Sequence, residues 1–233
     1  MTTNKKYFVF GVLALILISA IVLGINNARK DKKTPTDNFV KIDGLQAQSY
    51  AAGKNPVLVA EDKVYGSPDA KLKIFVYEDY SNIYSANLAD TLEKIRQENS
   101  DLSIIVRPYI SSNVLSKTAA LAMQCSNDEW VKMRALLFAQ VKNNQFNPDN
   151  FSANAKQIGL NEAEFNSCLT NPEKFRTIEE TLAEAKTYSV DGSPTIFVGD
   201  EMILGARPYD NYTDSNGDKV EGLKQVIERN LGK

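Results

Sequence analysis

This chain of 233 residues contains no histidine. That absence removes the usual general base, proton shuttle and transition-metal ligand together, so Ser-His and Cys-His catalysis are excluded. Its only sulfur nucleophiles are Cys125 and Cys168, about 43 residues apart and outside any CxxC pair. Neither a zinc site nor a local redox motif can be built from them. A second cluster with chemical possibilities is Tyr77, Tyr80, Asn82, Tyr84 and Ser85, and a third is the turn signal Ser193-Pro194. Taken by type alone, Asn82 is a helix N-cap and the tyrosines are core aromatics beside a strand end. The acidic loop Tyr209 to Asp218 suggests calcium but fails the EF-hand spacing. If Asp214 starts the count, Lys219 stands where glycine is needed, and no glutamate closes the loop. It reads as a solvated turn, with Asn211-Tyr212-Thr213 a glycosylation sequon only in a eukaryotic secretory setting. No metal site and no cofactor is expected.

Composition narrows the classes further. A hydrophobic content of 43% over this length builds one well-buried core. The net charge of -2 is uneven: the first 33 residues carry six basic side chains and one acidic, leaving the body at about -7 by difference. An acidic body argues against a nucleic-acid groove.

Tyr7 to Ile25 runs 19 residues without a charge, roughly the length that spans a bilayer core. It follows Lys5 and Lys6, and is read as a single transmembrane anchor after a cytoplasmic start at residues 1–6. A cleaved signal peptide is the competing reading, but a small-x-small cleavage site is poor and no lipobox-type cysteine follows. Arg29, Lys30, Lys32 and Lys33, taken literally, would keep the body in the cytoplasm; a long folded domain crosses largely regardless of such counts. Residues 26–54 are polar, with Pro35, Gly44 and Gly53, and read as a tether.

The elements that must position these residues follow. Leu72 to Tyr77 is a short apolar run suited to a buried strand, Asn82 to about Asn99 has helical spacing, and Leu102 to Val106 is a second buried strand. That order is a right-handed βαβ unit. From about 115 to 188 the pattern is entirely helical, punctuated by Asn, Asp, Gly and Pro. Thr195 to Val198 and Met202 to Leu204 return to strand across Gly199-Asp200, and Lys219 to Leu231 closes as an amphipathic helix. The fold class is α/β with an inserted helical block, residues 55–233 forming the domain.

Several stretches in this order resemble the DsbA-like thioredoxin-fold family, exported thiol-disulfide oxidoreductases with a helical insert. They are GSPDAKLKIFVYEDYSNIYS with Asp79 and Tyr80, then Arg107-Pro108-Tyr109, AALAMQC, AKQIGLNEAEFNSCL, and VDGSPTIFVG continuing to ILGA. The match runs from about Tyr65 to the C-terminus. The departure lies at the centre, because the two redox cysteines fall on Asn82 and Ser85. The family's chemistry needs a thiolate at a helix start, where the dipole and free amides lower its pKa. An amide cannot substitute, and the Ser85 hydroxyl has no base to ionise it. Thiol exchange through this site is therefore excluded, and catalytic residues are none.

The resemblance also implies that Pro194 is the cis-proline offering backbone hydrogen bonds to an extended peptide, a surface that needs no cysteine. It makes Tyr80, Tyr84, Ser193 and Pro194 the expected binding residues, with an extracytoplasmic protein or peptide as partner and the membrane engaged by the N-terminal helix. Cys125 and Cys168 stand where relatives often have cysteines, which together with the even count implies one structural disulfide. Two buried free thiols, or a DsbA-like oxidoreductase acting through this pair in an unusual arrangement, remain the alternatives.

Overall fold

The seven residues Leu72–Glu78 (β4) alternate between two apolar compartments, and that alternation sets the architecture. Ile74 and Val76 face one buried cluster, Phe75 and Tyr77 the other, and all four are 7% exposed or less. A strand buried on both faces must be central and covered by helices on each side. The computed structural model describes residues 40–41, 44 and 48–233. The expected anchor, Tyr7–Ile25, lies outside them, and among the described residues no helix is long and apolar enough to cross a membrane.

Before β4 come the short strands Val40–Lys41 (β1), Gln48–Ala51 (β2) and Lys63–Tyr65 (β3). After it come helix Ile83–Glu98 (α1) and strand Leu102–Pro108 (β5), which pairs parallel to β4 from Leu72↔Leu102 to Glu78↔Pro108. The expected βαβ unit is therefore present. Five helices follow: Val114–Cys125 (α2), Trp130–Lys142 (α3), Phe151–Gln157 (α4), Glu162–Leu169 (α5) and Pro172–Thr187 (α6). The chain then returns through Thr195–Val198 (β6) and Glu201–Leu204 (β7), joined at Gly199 with φ +55°. It finishes with Tyr212–Thr213 (β8), Lys219–Val220 (β9) and helix Leu223–Leu231 (α7). The main sheet has the order β2-β7-β6-β4-β5-β3, and a small second sheet has the order β1-β8-β9.

Asparagine explains much of the helical punctuation. Asn82, Asn113, Asn161 and Asn171 each cap a helix, their side chains accepting from first-turn amides. Each satisfies donors that would otherwise be orphaned.

Two readings of the sequence need correction. The stretch read as tether ends in β2, which pairs antiparallel with β7 from Gln48↔Leu204 to Ala51↔Glu201. Its side chains are all exposed, so the pairing is made by backbone and leaves no hydrophobic period to read. The closing helix begins at Leu223 rather than Lys219, because Lys219–Val220 pairs with Tyr212–Thr213. Gly222 then packs so closely that an added Cβ would lie 2.3 Å from the Asp210 carbonyl carbon.

Candidate functional site

The strand register brings two separate stretches of sequence to one edge of the sheet. Tyr77 on β4 pairs with Thr195 on β6, so the residues after β4 and those before β6 emerge side by side. The first group is Asp79 to Ser85; the second is Ser193-Pro194, whose peptide bond is cis. Pro194 is buried and Ser193 half-buried. The loop is held from behind: the Gly205 amide donates to the Pro194 carbonyl at 2.8 Å, and Thr195 Oγ1 donates to the Gly192 carbonyl at 2.7 Å. Tyr109 Oη donates to the Asp191 carbonyl at 2.7 Å.

At the helix start, both positions aligned with redox cysteines serve structure. Asn82 Oδ1 accepts from the Tyr84 amide at 2.7 Å and the Ser85 amide at 3.4 Å. Ser85 is fully buried, and its Oγ accepts from the Asp79 amide at 3.2 Å. The Asp79 carboxylate in turn accepts from the Ser81 amide at 2.9 Å, Ser81 Oγ at 2.7 Å and Ser111 Oγ at 3.0 Å. Ser85 is sealed from solvent and no histidine stands by to take its proton, so the position is poorly set for nucleophilic attack.

The Ser111–Asp79 bond also ties the loop before α2 to the loop before α1. Both helix starts present apolar side chains to solvent: Ile83 and Tyr84 on α1 are 41% and 61% exposed, Val114 and Leu115 on α2 are 77% and 39%. Of these four, only Tyr84 is among the binding residues expected from the sequence; an apolar side chain on a helix does not show by its type that it faces water.

Tyr80 does not share this surface. It is 1% exposed, its ring 5.8 Å from that of Phe138, and burial beside Glu78 holds its phenol well above the ordinary value. Tyr77 is likewise sealed in; its Oη accepts from Arg107 Nη1 at 3.1 Å, and burial pushes its pKa up to about 12. Both are core aromatics, as their residue type beside a strand end implies, and Tyr80 is therefore not available to the binding surface that the resemblance implies for it. Sequence reasoning missed a buried bidentate ion pair directly beneath the site. Arg134 on α3 donates to Glu78 at 2.8 and 2.5 Å, pinning the helical block to the end of β4.

Cys125 and Cys168 are bonded to each other, with Cα atoms 5.8 Å apart. Cys125 closes α2, whose opposite end, Val114, adjoins the Asp79 loop. Twelve helical residues at 1.5 Å each put the sulfurs about 17 Å along that axis from the site. No group of three potential metal ligands occurs among the described residues. Asp214, the calcium-like feature of the acidic loop, turns inward and accepts from the Asn216 and Asp218 amides at 2.9 and 3.0 Å.

The mixed sheet, the helical block between β5 and β6 and the cis-proline loop beside a helix start define a DsbA-like thioredoxin-fold protein, here with no sulfur at that helix start. A family model described as Thioredoxin matches residues 59–215, well over half the chain, and the chain belongs to that family. No curated protein matches it. Among solved structures it is similar to a periplasmic thioredoxin-like protein from Salmonella enterica serovar Typhimurium (22% identity, 74% of this chain and 91% of that one, TM-score 0.59). It is also similar to the catalytic domain of Proteus mirabilis ScsC (21%, 75% and 92%, TM-score 0.61). Wolbachia pipientis alpha-DsbA1 is a third such structure (16%, 76% and 94%, TM-score 0.58). At these identities the likeness speaks for the fold.

Proposed function

We propose that this chain is a non-catalytic protein- or peptide-binding module, anchored by its N-terminal segment and exposed on the extracytoplasmic side of the membrane. One observation carries the reading: exposed Ile83, Tyr84, Val114 and Leu115 flank the helix start and cis-proline loop, while the sulfur chemistry of that site is absent. Apolar side chains held out in water at two linked helix starts cost solvation unless something covers them. The Ser193-Pro194 loop beside them can offer backbone groups to an extended segment. A bonded Cys125–Cys168 pair suits an oxidising compartment, and a structurally similar Salmonella protein is described as periplasmic.

The test has two arms on the full-length protein. Wild type should reduce insulin no faster than a Cys125→Ser/Cys168→Ser variant, and activity that disappears in that variant would overturn the non-catalytic reading. A photoreactive residue at Tyr84 should cross-link to an unfolded test polypeptide, whereas one at exposed Glu180 on α6 should not. Equal capture at both positions would remove the site from the proposal.

A further inference from the structure

Tyr80, excluded from the surface above, lines a cavity of about 70 Å³ that is only partly enclosed, its wall including exposed Val59 and Glu61. The cavity lies at the edge of the sheet where the short strand β3 begins, walled by β5, α2 and α6. Its apolar wall includes Val106, Met123 and Ile178, and its polar wall includes Lys63, Gln124 and Thr181.

Two features of the wall are unexplained by the fold. The Tyr80 hydroxyl has no hydrogen-bond partner among the described residues, although the residue is 1% exposed. Ser103 Oγ is the one side-chain polar atom, among the described residues, that is sealed from water without a partner. The Tyr80 hydroxyl is unpartnered yet not sealed, which leaves the cavity as what it faces. A buried phenol without a partner is costly unless the space before it holds one. The second feature is Lys63, which is partly buried with no carboxylate in ion-pair range among the described residues, its Nζ 5.8 Å from the Trp130 ring centroid. Burial and the nearby Lys174 lower its pKa to about 8, against a weaker opposing effect from Asp128.

The carboxylates on the wall are otherwise committed. Asp62 accepts from Arg107 at 2.7 and 2.8 Å, and Glu184 accepts from Arg107 at 3.4 Å and from Tyr188 Oη at 3.1 Å. Glu61 is exposed. The unmatched groups are thus one ammonium and one phenol donor, beside an apolar wall. We propose that this cavity is a binding site for a small monocarboxylate, its carboxylate received by Lys63 and Tyr80 and its alkyl part packed on Val106, Met123 and Ile178. At roughly 12 Å³ per water-sized position, the volume holds about six non-hydrogen atoms, the size of butyrate.

The experiment uses the full-length protein and sodium butyrate as probe, read by saturation-transfer NMR and by thermal shift. Butyrate should bind saturably. Butyramide and n-butylammonium, of matching size but without the negative charge, should bind at least tenfold more weakly. Tyr80→Phe, which removes only the hydroxyl, and Lys63→Met, which keeps the stem, should each weaken butyrate at least fivefold, with near-ultraviolet circular dichroism confirming an intact fold. Absence of saturable butyrate binding, meaning a hydrated cavity only, overturns the assignment. So does equal binding of the amide, or butyrate binding that neither variant weakens.

Discussion

Replacing Cys125 and Cys168 with alanine opens a loop of 43 residues and tests whether the pair is a staple of the helical block rather than a reactive dithiol. The chain-entropy relation gives about 13 cal/mol/K for a loop of this size, or about 4 kcal/mol at 25 °C. Cys125 is 3% exposed within the main core, so its lost sulfur adds a smaller packing cost. For a domain of this length each kcal/mol moves the midpoint by about 2–4 °C, so the double variant should melt about 8–16 °C lower. The closed loop contains α3 and α4 and most of α5, whereas β4, β5 and β6 all lie outside it. Hydrogen exchange should therefore accelerate first in residues 130–169, while the sheet keeps its protection at temperatures below the new midpoint. The assays are thermal unfolding by far-ultraviolet circular dichroism and exchange read by mass spectrometry, on wild type, thiol-treated wild type and the variant. A midpoint drop under 3 °C, or sheet amides deprotected as early as those of α3 and α4, would refute the reasoning.

Three further outcomes follow from buried charge and from the helix start. Arg134→Met leaves Glu78 as an uncompensated buried carboxylate and should cost about 3–5 kcal/mol, most of it recovered by adding Glu78→Leu; denaturant titration of the single and double variants reads the difference. Lys63 has its folded pKa near 8, below the ordinary 10.5, so the unfolded chain binds more protons between those values and stability contributed by this group rises as pH increases through them. Wild type should accordingly gain midpoint on Lys63→Met from pH 7 to 9.5, and a constant gap would contradict that setting. Asn82→Cys/Ser85→Cys places sulfur at the N-cap and the third helical position, where the dipole favours a thiolate, and should raise insulin reduction above that of wild type. No such rise despite an intact fold would show that more than the dithiol has been lost.

The central βαβ unit and the helical block were legible because burial there repeats with the element's own period. In Leu72–Glu78 nearly every residue is buried, and in α1 the spacing of Leu88, Leu92 and Ile95 marks the inward face. Strands β2 and β9 were not legible, since backbone pairing on an exposed edge leaves no trace in side-chain type. The site was half legible. Asn82, Ser85 and Pro194 can be placed from motif order, but facing cannot: residue type makes Tyr80 a core aromatic, as it is in the structure, whereas the resemblance counts it among the binding residues.

The burial of Tyr80 has a physical basis that bears on function. Tyr80 leaves β4 two residues after its last fully paired position and must pass over Glu78, whose ion pair with Arg134 fixes where α3 sits. With the helical block pinned there, the Tyr80 ring packs on Phe138, and Tyr80 is among the residues lining the cavity. Tyr84, one helical turn later and on the opposite side of the N-cap, is left in water. Two tyrosines four residues apart thus have different surroundings, one buried against Phe138 and one exposed to solvent. Substituting Tyr84 should disturb polypeptide capture without altering the cavity, and Tyr80→Phe should do the reverse.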